Sequence, residues 1–172
     1  SPVSTIDRLD FSNDSLGARY LTALTQPKHF LSATGNSHYG YFGTSPSYST
    51  VDRLDYSNET VSDVSTLEGT FAGGYMGATG NQNYGYFAGG HSSVYLSYIK
   101  RLDYSNETII PRSFLSLMGP APTTGRDTLA ATGNANYGYF GAGKSDNWNQ
   151  SSLVSRIDYS NDNTIALTRG PL

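Results

Sequence analysis

The sequence predicts an all-β protein made of repeated four-stranded antiparallel sheets that stand together like the blades of a β-propeller. Three observations carry this. Two short motifs alternate along the chain with a period of roughly 50 residues. Each motif has the two-residue alternation and the turn residues of a hairpin. The composition is that of strands and tight turns, with 19 Gly, 14 Tyr and only 15% charged residues.

The first motif is Ala-Thr-Gly-Asn-x-x-Tyr-Gly-Tyr-Phe, found at 33–42, 78–87 and 131–140. A short strand, A, runs into Gly35-Asn36, Gly80-Asn81 or Gly133-Asn134, residues that tolerate a positive φ, and the chain returns as strand B. Gly40, Gly85 and Gly138 interrupt strand B, which predicts that another backbone or ring comes close there. The flanking rings, such as Tyr84, Tyr86 and Phe87, fall on both faces, as in a sheet packed between two neighbours. At about 25 cal/mol per Å2 and 150–250 Å2 per ring, burial of each aromatic trio contributes several kcal/mol.

The second motif is Arg-Leu-Asp-Tyr-Ser-Asn-Glu-Thr at Arg53 and Arg101, with the variants RLDFSND at Arg8 and RIDYSND at Arg156; the four arginines are 45, 48 and 55 residues apart. It places strand C before a Ser-Asn turn and strand D after it. Strand D is the weakest signal; Leu21 to Leu24, Val64 to Leu67, Phe114 to Leu117 and Ile165 to Leu167 are its candidates. The chain thus divides, as one repeat domain over 1–172, into a partial unit at 1–31 holding C and D, and units at 32–76, 77–129 and 130–172. About three and a half blades fill only part of a ring, so a larger ring or an assembly is expected to complete them.

The formal net charge of −3, with no run of Lys or Arg, lacks the footprint that neutralises phosphates, so nucleic acid is not an expected partner. No apolar stretch approaches the ~20 residues of a membrane span, and no membrane insertion is expected. Without Cys there are no disulfides and no thiolate metal sites.

An A–B hairpin ending in Gly-Gly, as in NYGYFAGG with Gly89-Gly90, followed by a loop of variable length and a strand with Tyr or Leu before Asp, resembles the kelch repeat. The Trp usual in the kelch D strand is absent, and the Gly pair becomes Gly43-Thr44 and Gly141-Ala142-Gly143 in two units. The resemblance implies a kelch-like β-propeller. More narrowly, Tyr-Gly-Tyr-Phe combined with Arg-Leu-Asp-Tyr-Ser-Asn is similar to repeats of bacteriophage tail-fibre and structural proteins, including those of cyanophages. This implies a virion or extracellular location, other fibre or virion subunits as partners, and membership of a homo-oligomer or longer chain.

The most regular charges are Arg8/Asp10, Arg53/Asp55, Arg101/Asp103 and Arg156/Asp158. A site is normally assembled once and these recur in every unit, so they are expected to be inter-blade residues, each Arg bridging to a carboxylate or carbonyl in the adjacent blade as a buried pair. Asp158 to Asp162, like Asp10 to Asp14, spaces oxygens as calcium loops do but lacks the Gly at the sixth position, so a hydrogen-bonded turn is expected and no metal. Asn13, Asn58, Asn106 and Asn149 stand in Asn-x-Ser/Thr sequons, three of them in the same C–D turn, which turn chemistry explains. His29, His38 and His91 have no ligand spacing, and no triad order or phosphate loop accompanies them. Neither a catalytic residue nor a cofactor is predicted.

In a four-stranded meander the A–B and C–D turns share one end, and the B–C and D–A connections share the other. The first pair is nearly constant between copies, whereas the B–C connections at Gly43 to Ser49, Gly89 to Tyr98 and Gly141 to Ser155 differ in length and content. The variable end is therefore the expected contact surface for a host-surface glycan or protein. Its candidate residues are Tyr48, His91, Tyr95, Tyr98, Lys144, Asp146, Trp148 and Asn149, flat rings beside polar groups. A non-enzymatic interaction module is the first expectation; a purely architectural repeat that stacks into a fibre, or a kelch-type protein scaffold, is the alternative.

Overall fold

The structure is a computed structural model that describes residues 3–66, 73–116, 125–145, 149–161 and 167–171. Among these there is no helix. The chain forms four antiparallel sheets in sequence order. The first holds only β1 (Val3–Asp10) and β2 (Ser15–Lys28). The second holds β3 (Ser32–Gly35), β4 (Tyr39–Gly43), β5 (Thr50–Asp55) and β6 (Thr60–Thr66) as a meander. The third repeats it with β7 (Gly77–Gly80), β8 (Tyr84–Ala88), β9 (Tyr98–Asp103) and β10 (Thr108–Ser116). The fourth consists of β11 (Ala130–Gly133), β12 (Tyr137–Gly141), β13 (Leu153–Asp158) and β14 (Leu167–Pro171). These are the strands A to D of the sequence, with C and D alone in the first sheet.

The A–B turn works differently from the expectation. No residue of the three Gly-Asn pairs has a positive φ among the described backbone. Instead the Asn side chain closes the turn: Asn81 Oδ1 accepts from the amides of Asn83 and Tyr84 at 2.8 and 2.9 Å, and Asn36 and Asn134 do the same in their units. The left-handed residue lies in the C–D turn, at Asp14, Glu59 and Glu107. It reverses the chain at once, so strand D pairs with C from Thr60↔Asp55 and Thr108↔Asp103 onward. Strand D therefore starts earlier than its apolar residues indicated. Leu21 to Leu24 falls within β2, Val64 within β6 and Phe114 within β10, while Leu67, Leu117, Ile165 and Ala166 lie outside the described residues.

The core lies between sheets, not within one. Tyr41, Val51, Met76, Phe87, Leu102 and Tyr104 form one cluster between the second and third sheets. Tyr86, Ala88, Ile99, Phe140, Ile157 and Tyr159 form the next. Alternation along strand B explains this, since Tyr86 faces the following sheet and Phe87 the preceding one. Tyr41 stacks on Tyr104 with ring centroids 4.8 Å apart, and Tyr86 on Tyr159 at 5.0 Å. Such a pair adds about 0.5–1.5 kcal/mol beyond its area. Beside each stack a strand A threonine meets the same hydroxyl, Thr34 with Tyr104 and Thr79 with Tyr159, both at 3.0 Å. A Cβ on Gly85 would come within 2.6 Å of Thr34 Cγ2 and 2.7 Å of the Tyr104 hydroxyl, so the strand B glycine is what lets the sheets approach.

Candidate interaction surface

One end of the stack is uniform. Each C–D turn is held by its own aspartate: Asp55 Oδ1 accepts from the Ser57 amide at 2.8 Å and from Ser57 Oγ at 2.6 Å, and Asp10, Asp103 and Asp158 bind Ser12, Ser105 and Ser160 alike. The serine hydroxyl is the first cause that lowers all four carboxyls below the usual aspartate value. Asp10, Asp55 and Asp103 thus bind their own turns and not the next sheet, which corrects the expectation that they bridge blades. They sit at the strand's last position, where the reversal turns the carboxylate toward its own turn. Asn58 and Asn106, two of the sequon residues, likewise accept from the amide and hydroxyl of Thr60 and Thr108.

The repeated arginines meet a different carboxylate. Arg8 pairs with Glu59 and Arg53 with Glu107, each reaching the C–D turn of the following sheet. Within their own sheets Arg53, Arg101 and Arg156 lie over Tyr39, Tyr84 and Tyr137 at 4.9, 4.1 and 4.5 Å from the ring centroids. The expected burial holds for Arg101, which is 7% exposed, and is corrected for the two ion pairs, because the side chains of Arg53 and Glu107 are 29% and 25% exposed and those of Arg8 and Glu59 51% and 31%. Water screens such pairs. A double-mutant cycle on Arg53→Ala and Glu107→Ala, read by urea unfolding, is expected to give a coupling of about 1 kcal/mol or less. A coupling of several kcal/mol would show the pair to be desolvated.

The other end is divergent. The B–C connections, residues 44–49, 89–97 and 142–152, each open on a left-handed residue, Thr44, Gly89 or Ala142, and then differ. In the third and fourth sheets the loop is zipped to its own D–A segment. His91 exchanges backbone bonds with Gly74 at 3.0 and 3.2 Å, and Lys144 with Asp127 at 3.1 and 3.0 Å. The Lys144 ammonium also stands 3.9 Å from the Asp127 carboxylate. His91 meets the Tyr95 ring edge-on at 4.8 Å. Tyr48 is exposed, and the Asn149 carbonyl accepts from the Ser145 amide at 2.9 Å. Tyr98 departs from its expected place: it opens β9, and burial pushes its phenol up to about 12. Asp146 and Trp148 lie outside the described residues.

Two features of this end were missed in the sequence. Five residues before each Gly-Asn turn stand Phe30, Tyr75 and Thr128, all left-handed. Tyr75 donates its amide to the Phe30 carbonyl at 3.0 Å, and Thr128 to Tyr75 at 2.9 Å. The Phe30 and Tyr75 rings stack at 4.1 Å, with His29 tilted against Phe30 at 4.8 Å, so an aromatic step joins two sheets at this end.

The second feature is a buried cation in one recurring slot, formed by the residue seven before Gly-Asn's glycine and the residue preceding the strand C arginine. The first such pair joins Lys28, at the end of β2, to Asp52 on β5, both fully buried, with Nζ 2.8 Å from Oδ2 and 2.9 Å from the Thr50 carbonyl. In the fourth sheet it is Arg126 and Ser155. Buried Arg126 donates to the carbonyls of Ala142 and Leu153 and to Ser155 Oγ, each at 2.9 Å. In the third sheet the matching positions hold Gly73 and Lys100, and Lys100 on strand C is buried. Alignment of the chain's own copies at these offsets was the signal that could have found the slot. It fixes the roots of the divergent loops.

Among the described residues no group of three His, Asp or Glu side chains gathers as a metal site would require, and no helix is long and apolar enough to cross a membrane. The fold and its two ends define a class: an all-β repeat protein of stacked antiparallel sheets, uniform at one end and divergent at the other. Comparison with protein-family models and with curated proteins finds no match.

Proposed function

We propose that the chain is a non-enzymatic structural and interaction module, a kelch-like propeller arc in a phage virion or tail fibre, whose divergent loops recognise a glycan or protein of the host surface. One observation carries this reading. The same residues hold the A–B and C–D turns from sheet to sheet, while the loops at the opposite end differ in length and sequence, and those of the third and fourth sheets share a backbone anchor. A scaffold needs constancy, and a recognition surface needs rigid roots with free chemistry at the tips. Lys28 and Arg126 supply the roots, and Phe30, Tyr48, Tyr75 and Tyr95 supply flat rings beside polar backbone, the groups that hold sugars and protein hot spots.

The test is an array of bacterial surface glycans and outer-membrane protein fractions, probed with the native chain and with a Phe30→Ala, Tyr48→Ala, Tyr95→Ala variant. The native chain is expected to bind a restricted set without turnover, and the variant to lose at least about tenfold in affinity while unfolding at an unchanged temperature. Equal binding by both, or none by either, would remove the divergent end from recognition.

A further inference from the structure

Each complete pair of neighbouring sheets shows the same contact. The aromatic residue at the end of strand C is covered by the A–B hairpin of the preceding sheet, which brings a threonine to its hydroxyl and a tyrosine to its ring. Covered in this way, Tyr104 is 8% exposed and Tyr159 6%; Tyr56, at the same position of the second sheet, is 49% exposed. The first sheet offers it only strands C and D.

Three further observations mark the same vacancy. A Cβ on Gly85 or Gly138 would meet the preceding sheet's threonine at 2.6 Å, whereas the three nearest atoms at Gly40 all belong to Tyr56. Phe87, Leu102, Phe140 and Ile157 are fully buried, but their counterparts Phe42 and Leu54 are half-buried. These two residues, with Tyr56, Ile6, Leu9 and Phe11, line a cavity of about 510 Å3 between β1 and the second sheet. Among the described residues β1 pairs only with β2, so the edge on which strand B sits in every other sheet is open.

We propose that this face is a docking slot for a β-hairpin of the Thr-Gly-Asn-x-x-Tyr-Gly-Tyr-Phe type, a fourth copy beyond the three that are already paired in their own sheets. The occupant follows from continuity with the repeat interface and does not depend on the functional reading above. The register is set as well. Tyr41, Tyr86 and Tyr139 oppose Arg53, Arg101 and Arg156, so the incoming second tyrosine pairs with Arg8 on β1 and its ring stacks on Tyr56. Its phenylalanine then stands opposite Asp7, as Phe42 stands opposite Asp52, and the strand A threonine meets the Tyr56 hydroxyl. Backbone bonds along the edge give affinity, and the stacked ring and threonine give selectivity. An isolated hairpin is barely ordered in water and binds against that cost, so a tether that raises its local concentration makes the best probe.

The experiment joins a hairpin with the sequence of residues 130–141 ahead of Ser1 through a Gly/Ser linker, and beside it a fusion with the same residues scrambled. The motif fusion is expected to unfold at a higher temperature than the scrambled one and to exchange its β1 amides about tenfold more slowly or better. Replacing the hairpin's second tyrosine with alanine, or Tyr56→Ala in the chain, is expected to abolish the gain. A free peptide of the same sequence should slow β1 exchange saturably, and its scrambled form should not. Equal exchange and equal melting of the two fusions would overturn the proposal. So would a homodimer of the unfused chain that dissociates on Tyr56→Ala, since a second copy would then own the face.

Discussion

Asp52→Ala is expected to lower the stability of the chain by about 3–5 kcal/mol, the largest loss from any single side chain of comparable size. The carboxylate and the Lys28 ammonium are both fully buried at 2.8 Å, and Asp52 also accepts from Thr25 Oγ1. Removing the anion leaves a cation in the interior with one carbonyl, from Thr50, as its remaining partner among these contacts. Replacing both residues together, Lys28→Met with Asp52→Leu, removes two desolvation penalties along with the attraction. It is expected to cost far less than Asp52→Ala alone, or to stabilise. Urea unfolding of the two variants measures the difference; a double variant as weak as the single one would show that packing, not the lone charge, sets the cost. Ser155→Ala makes the contrast from the fourth sheet, because Arg126 keeps two carbonyls there, and about 1 kcal/mol is expected.

That contrast also shows how far the sequence could be read. Strands A, B and C were legible because Asn81, Gly85 and Arg101 recur with fixed neighbours, and a strand's alternation then assigns Tyr86 and Phe87 to opposite faces. The described strand D candidates of the first three sheets fall inside β2, β6 and β10, but its start was read too late because it is set by one left-handed residue, Glu59 or Glu107, and not by the apolar residues further on. The arginine's bridge to a carboxylate of the adjacent sheet was legible, but the strand C aspartate was wrongly grouped with it: at the strand's end local turn bonds capture Asp55, while Arg53 reaches the next repeat's Glu107. The cation slot was illegible to a search for identical letters, since Lys28 and Arg126 share a buried charge and not a residue type. The fold joins the halves by side-chain reach, from Lys28 at the end of β2 to Asp52 on β5 and from Arg126 to Ser155 on β13.

Lys100 carries the second large effect, and pH reveals it. Burial on strand C pushes its ammonium down to about 8, against an ordinary value near 10.5. Below pH 8 the group is protonated in both folded and unfolded chains, and the full desolvation penalty is present. Between about 8 and 10.5 the unfolded chain still holds the proton while the folded chain has lost it. The unfolded state then binds more protons, so stability rises with pH across this window, by roughly 3 kcal/mol in all. The tyrosines oppose it at the upper edge: burial raises the phenols of Tyr41 and Tyr98 to about 12, so above pH 10 only the unfolded chain ionises them and stability falls again. A maximum near pH 9.5–10 is therefore expected in the urea midpoint. Lys100→Met should remove the rise between 8 and 10 and leave the fall above it. A native chain whose midpoint stays level over that interval would mean that the folded chain keeps the proton on Lys100.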